Sequence, residues 1–112
     1  MKKIKPEITF DEFSALDVRV GAVTSVEPVP ETDKLLKLIV DFGFEKRQIV
    51  SGIADRISPE EVLDRQFPFV LNLAPRVIRG VESQGMILAA SGNDSFGLLT
   101  PHQPVEDGAT IG

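Results

Sequence analysis

Two runs between Asp17 and Asp41 place apolar residues at every second position, and this period of two limits the fold more than any other feature of the chain. From Asp17 onward, Val18, Val20, Ala22, Thr24 and Val26 fall on one side, with Arg19, Gly21 and Ser25 on the other. Successive side chains of a strand point to opposite faces, so the spacing predicts a half-buried strand ended by Pro28 and Pro30. Lys34 to Asp41 repeats the pattern, with Leu36, Leu38 and Val40 sharing a face opposite Lys37. Gly43 supplies a turn into a third strand, Lys46 to Ser51, and the pair forms a hairpin.

Shorter signals fill the rest. Thr9 followed by Glu12 fits a capping box opening a helix over Phe10 to Ala15, with Phe10 and Phe13 on one side. Ser58-Pro59-Glu60-Glu61 combines an N-cap, a proline at the first helical position and a capping glutamate, predicting a second short helix that runs to about Asp64. Phe67 to Leu73 reads as a fourth strand, and Pro68 should confine its start to an edge or a bulge because proline donates no ladder hydrogen bond. Gly85 to Ser91 is a fifth strand, and a turn at Ser91-Gly92-Asn93-Asp94 precedes a short strand over Phe96 to Thr100. The segment between Leu73 and Met86 reads as a polar bridge carrying Arg76 and Arg79.

About five strands, with a helix between the third and fourth, point to an all-β fold with short helices: a five-stranded Greek-key barrel of the OB type with N- and C-terminal extensions. The 112 residues are enough for one such domain over 1–112 and leave no room for a second. Fold alone names no function.

Residue chemistry removes several function classes. The only histidine, His102, lies between Pro101 and Gln103 in an expected C-terminal loop, where it reads as a solvated side chain and not as the base of a hydrolytic triad. The carboxylate pairs Asp11-Glu12, Glu60-Glu61 and Glu106-Asp107 fall at helix starts or a turn, where local structure already accounts for them. No phosphate-cradling glycine loop of the nucleotide-binding kinds occurs. The expectation is a non-enzyme without a cofactor. Without cysteine and with one histidine, a metal site would rest on carboxylates alone, and none shows calcium-loop spacing. After Met1-Lys2-Lys3, the residues Pro6, Glu7, Asp11 and Glu12 interrupt any export-signal core, and no run reaches membrane-spanning length. A cytoplasmic protein without membrane contact is expected.

Charge narrows the partners. Twelve basic residues face seventeen acidic ones, a net of -5, which argues against indiscriminate polyanion binding. What matters is placement: Lys34, Lys37, Lys46 and Arg47 lie on the predicted hairpin and Arg76 and Arg79 on the bridge, so they can converge on one barrel face, with Arg19 a further candidate. For Lys46 and Arg47 a solvated strand face is the simpler reading. Around Arg76 and Arg79, Asn72, Ser83 and Gln84 add neutral groups suited to phosphate, ribose or base edges. The chain has seven Phe but no Trp or Tyr, and those Phe mostly occupy apolar or helix-facing positions. Stacking platforms for non-specific single strands are therefore lacking, and a folded RNA read by its backbone shape is favoured over DNA.

DVRVGAV at Asp17, DKLLKLIVDFG at Asp33, SGI at Ser51 and NLAPRVIRGVESQGMILAAS at Asn72 closely resemble the tRNA-binding domain family, in order, from about Ile8 to Ile111. That family includes free-standing bacterial tRNA-binding proteins, C-terminal domains of methionyl-tRNA synthetases, related domains of eukaryotic synthetase complexes, and the CsaA export chaperones. The resemblance implies an OB fold whose terminal extensions make a homodimer. It also implies shape-directed, non-catalytic binding of tRNA, assisting a methionyl-tRNA synthetase in cis or in trans. By similarity the tRNA-binding positions are Lys34, Lys37, Ser51, Asn72, Arg76, Arg79, Ser83 and Met86. Arg76 and Arg79 would meet phosphates, Asn72 and Ser83 would hydrogen-bond, and Met86 would be an apolar contact or core. Val77 stands where members commonly carry a second basic residue, removing one phosphate contact. The opening methionine fits the free-standing form. The alternative within the same resemblance is a CsaA-like chaperone that holds extended peptides in the same groove.

Overall fold

The computed structural model describes residues 3–112; Met1 and Lys2, which begin the stretch weighed against an export signal, lie outside it. Strands β1 (Val18–Pro28), β2 (Leu36–Asp41) and β3 (Lys46–Ser51) run antiparallel in succession, and β4 (Gln66–Val70) returns to the other side of β1. That return makes a Greek key. Next to β4 lies β7 (Met86–Ile87), giving the order β3-β2-β1-β4-β7 and a nearly closed, OB-like five-stranded barrel. Short pairs decorate it: β5 (Arg76–Ile78) with β6 (Val81–Ser83), and β8 (Ala89–Ser91) with β9 (Phe96–Leu98). From the C-terminal extension, β10 (Thr110–Ile111) pairs with the start of β1.

Leu36, Leu38 and Val40 share the buried face the alternation predicts, and with Phe42, Phe67 and Phe69 they fill the barrel. Phe42 and Phe69 meet edge to face at 5.5 Å, the arrangement their ring quadrupoles favour. On β1 the expected face is overturned. Val23 points into the core and Val18 and Val20 do not; those two are buried on the outer side, where Val20 lines an apolar cleft with Pro68, Leu88, Leu99, Pro101 and Ile111. Gly21 faces inward, and a Cβ there would lie 2.5 Å from Val40 Cγ1 and 2.6 Å from Phe42 Cε1. The phase changes again at Thr24, because Val23 and Ser25 pair with the adjacent residues Val40 and Ile39. This bulge returns Val26 to the core side.

The position of Pro68 also differs from expectation, since β4 is flanked by both β1 and β7. Its partner Val20 turns both backbone groups away, donating to the Ala109 carbonyl at 2.9 Å and accepting from Gly108 N–H at 2.7 Å. On the other side the Pro68 carbonyl accepts from Leu88 N–H, just beyond the end of β7. A residue without an N–H therefore leaves no donor unmatched.

Helix α1 (Phe10–Ser14) carries the predicted capping box, with Glu12 N–H donating to Thr9 Oγ1 at 3.1 Å and Thr9 N–H donating to Glu12 Oε1 at 3.0 Å. None of its residues is buried, so Phe10 and Phe13 face solvent. The second predicted helix is only one 3₁₀ turn, Pro59–Glu61. It stops because β1 takes the next backbone groups: Asp64 N–H donates to the Val23 carbonyl and Val23 N–H to the Arg65 carbonyl. The predicted fifth strand divides at Leu88 into β7 and β8, which serve different partners.

Candidate nucleic-acid interface

The stretch read as a polar bridge is a β-hairpin. Ile78 pairs with Val81, and the two residues between them, Arg79 and Gly80, have φ of 52° and 82°. Positive φ at both central positions is the hairpin turn that matches strand twist. Glycine takes it readily, whereas arginine is held there against a penalty of about 1–2 kcal/mol. Ile78 and Val81 flanking an Xaa-Gly pair were the available signal for this turn.

Side chains tie the hairpin to β3. Ser83 accepts from Val50 N–H at 2.9 Å and donates to the Gly85 carbonyl at 3.0 Å. Gln48 Nε2 donates to the Glu82 carbonyl at 2.8 Å, and Gln84 Oε1 accepts from Gln48 N–H at 3.1 Å. Arg47 spans the same seam, donating from Nη1 to the carbonyls of Leu71 at 2.7 Å and Gln84 at 3.2 Å, while its Nε pairs with Glu45. Where a full ladder is missing, the barrel closes by these side chains and one backbone bond, Gln84 N–H donating to the Gln48 carbonyl at 2.8 Å. Ser83, expected by resemblance to hydrogen-bond tRNA, is only 1% exposed, and its hydroxyl is engaged inside the barrel wall.

This docking carries the hairpin tip to the β1–β2 loop. Arg79 and Ile78 line an open groove of about 400 Å³ together with Lys34, Leu35, Glu31 and Asp33. The DKLLKL and NLAPRVIRG motifs, distant in sequence, thus share one surface. Lys34 is fixed by its backbone, whose carbonyl accepts from Ala54 N–H at 2.9 Å, leaving the exposed side chain free of ion pairs among the described residues. Arg76 is exposed at the start of β5, opposite Ser83. Ser51 ends β3 half-buried, opposite Leu36.

The remaining positions stand apart from this pair. Lys37 lies on the outer face of β2, where its ammonium is 3.4 Å from the Glu27 carboxylate across the β1–β2 ladder. Asn72 reaches toward the N-terminal segment: its Oδ1 accepts from Asp17 N–H at 2.7 Å and its Nδ2 donates to the Ala15 carbonyl at 2.6 Å. Met86 is partly exposed on β7, and Leu73 and Val77 add exposed apolar surface nearby in sequence. Arg19 does not join the basic residues, because it pairs with Asp17 at 2.9 Å and its guanidinium lies 5.1 Å from the Phe44 ring centroid. Sequence reasoning passed over Glu31 and Asp33, loop carboxylates with no periodic pattern to mark them.

A family model described as "Putative tRNA binding domain" matches residues 18–110. The chain is 46% identical over 111 residues to a methionine–tRNA ligase of Bacteroides fragilis, and 54% identical over 109 residues to one of Methanothrix thermoacetophila. The matches cover 98% and 97% of this chain but 16% of each relative's length. Among solved structures, a MetRS related protein from Pyrococcus horikoshii superposes with a TM-score of 0.92 at 44% identity, over 96% of this chain and 99% of that one. Chaperone CsaA from Bacillus anthracis superposes with a TM-score of 0.85 at 28% identity, over 96% and 100%.

Proposed function

Because this chain belongs to the tRNA-binding domain family, we propose that it is a non-catalytic module that binds tRNA by shape and raises the tRNA affinity of a methionyl-tRNA synthetase, in cis or in trans. The observation that carries the proposal is the shared groove of Lys34 and Arg79, with Arg76 exposed on the same hairpin. Phosphate contacts position a protein on a nucleic acid and dominate its affinity, so three cations without internal partners among the described residues form a foothold on an otherwise acidic protein. Synthetase assistance is supported by the likeness to a small part of methionine–tRNA ligases. No helix of the described residues is long and apolar enough to cross a membrane. The likeness to methionine–tRNA ligases supports the cytoplasm as the place of action.

The active form in this reading is a homodimer. Ile8, Phe10, Phe13 and Leu16 expose apolar surface on the N-terminal extension, and Val105 and Ile111 do so on the C-terminal one. Apolar surface of this kind is what a subunit contact would cover. Sedimentation showing only monomer at micromolar concentration would remove the dimer.

The deciding measurement is filter binding with total tRNA, competed separately by single-stranded RNA and duplex DNA. Selective resistance of the tRNA complex is expected, and equal loss to every competitor would sink shape recognition. A second reading, a peptide-holding chaperone, is favoured by one observation: Leu73, Val77 and Met86 expose apolar side chains around the same hairpin. Stoichiometric suppression of client aggregation without tRNA binding would select it.

A further inference from the structure

The groove that holds Lys34 and Arg79 also holds Glu31 and Asp33, and this balance of charge is at odds with a simple phosphate site. Two carboxylates and two cations sum to zero. Among the described residues none of the four side chains makes an ion pair or a side-chain hydrogen bond, although all four line one groove. The groove is therefore open between opposite charges and has not collapsed into internal salt bridges.

The backbone adds a second observation. Only three non-glycine residues among those described have positive φ: Glu31 at 65°, Asp64 at 63° and Arg79 at 52°. Two of them, Glu31 and Arg79, line this groove from different chain segments. Both are central residues of tight turns, Arg79 in the β5–β6 hairpin and Glu31 after Pro30 in the turn closed by Thr32 N–H on the Val29 carbonyl at 3.3 Å, so turn geometry brings the two residues to the groove.

A groove with this chemistry suits a ligand that presents acceptors and donors together. Phosphate oxygens are acceptors only and would be repelled by the carboxylates, whereas a ribonucleotide also offers its 2′-hydroxyl and, on most bases, an amino or imino N–H. A volume of about 400 Å³ falls in the range of small-ligand pockets.

Resting on the tRNA reading above, we infer that this groove seats one unpaired ribonucleotide of the bound tRNA. Lys34 and Arg79 hold its phosphate, while Glu31 and Asp33 accept hydrogen bonds from its sugar or base. The carboxylates are thus attractive contacts, and a contact to the 2′-hydroxyl would also select RNA over DNA.

The test is one of sign. Glu31→Gln and Asp33→Asn keep side-chain shape and, in an otherwise acidic protein, each removes one negative charge. If the carboxylates merely face solvent or repel phosphate, either variant binds total tRNA as tightly as wild type or more tightly. If they accept donors from the nucleotide, the variants bind more weakly, by roughly tenfold for the loss of a hydrogen bond to a charged group. Equal or tighter binding by both variants overturns the inference and leaves the tRNA reading intact. A wild-type protein that binds no tRNA overturns both. A DNA oligonucleotide of the same tRNA sequence assigns the donor. A wild-type preference for RNA that disappears in Glu31→Gln or Asp33→Asn identifies the 2′-hydroxyl, and a preference that persists beside weakened binding identifies the base.

Discussion

The Ser83 hydroxyl sits between Val50 N–H at 2.9 Å and the Gly85 carbonyl at 3.0 Å, so one side chain joins β3, β6 and the turn into β7. Replacing it with alanine strands a buried donor and a buried acceptor together, and leaving such groups unmatched costs about 1–3 kcal/mol each. Ser83→Ala should lower the urea midpoint of unfolding with the slope unchanged. Its tRNA affinity, measured where the variant is fully folded, should fall little, because the hydroxyl lies inside the barrel wall. Ser83→Ala that unfolds like wild type but loses tRNA would reverse this assignment.

Arg76 and Arg79 differ from Lys37 in their electrostatic surroundings, and salt titration should separate them. For a cation that meets a phosphate, replacement by alanine shallows the log-log dependence of binding on salt by roughly 0.7–0.9. Arg76→Ala and Arg79→Ala should each show that change. Lys37→Ala should show less, since Glu27 lies 3.4 Å from its ammonium and already offsets its charge. Equal slopes for all three variants would place Lys37 in the phosphate foothold as well.

Asn72 fastens the N-terminal extension to the barrel through both ends of its amide. Asn72→Ala should speed proteolysis and hydrogen exchange of residues 3–17 and lower global stability by only about 1 kcal/mol, since neither bond is deeply buried. Exchange rates in α1 that match wild type would mean the extension is held by something else.

How far the sequence could anticipate this architecture depended on where each signal resided. The β2–β3 hairpin was legible because Leu36, Leu38 and Val40 recur at every second position and Gly43 marks the turn. On β1 the same alternation misled, since the bulge at Thr24 and the inward Gly21 are set by β2 and Phe42, partners that no local pattern reveals. The β5–β6 hairpin was hidden by strands of three residues, one of which carries the exposed Val77. Resemblance named Lys34 and Arg79, but Glu31 and Asp33 became visible only once the hairpin tip was seen beside their loop.

Glu61 carries a pH signature of the 3₁₀ turn. Hydrogen bonds from the Ser58 backbone N–H and then its hydroxyl hold the Glu61 carboxyl below its ordinary value. With the folded value depressed, the contact contributes stability at neutral pH and above the unfolded value, and that contribution is lost as pH falls through the folded one. Carbon-detected titration should place the Glu61 midpoint below the ordinary glutamate value, and removing the Ser58 hydroxyl in Ser58→Ala should raise it. A Glu61 midpoint at the ordinary value in the wild type would show that the cap does not form.

Gly21 is the residue at which the inward face of β1 can be tested most directly. Val40 and Phe42 are both fully buried, so neither can move into solvent to admit a Cβ 2.5 Å from Val40 Cγ1. Forcing extra volume into such packing costs about 1–3 kcal/mol through off-rotamer side chains and backbone shifts. Gly21→Ala should therefore lower the thermal midpoint, whereas Ala22→Gly, on the partly exposed outer face, should disturb the core far less. If the original alternation were right and Ala22 faced inward, the ranking would invert: Ala22→Gly would open a core gap and Gly21→Ala would be nearly silent. Comparing the two variants by calorimetry thus decides which face of β1 lines the barrel.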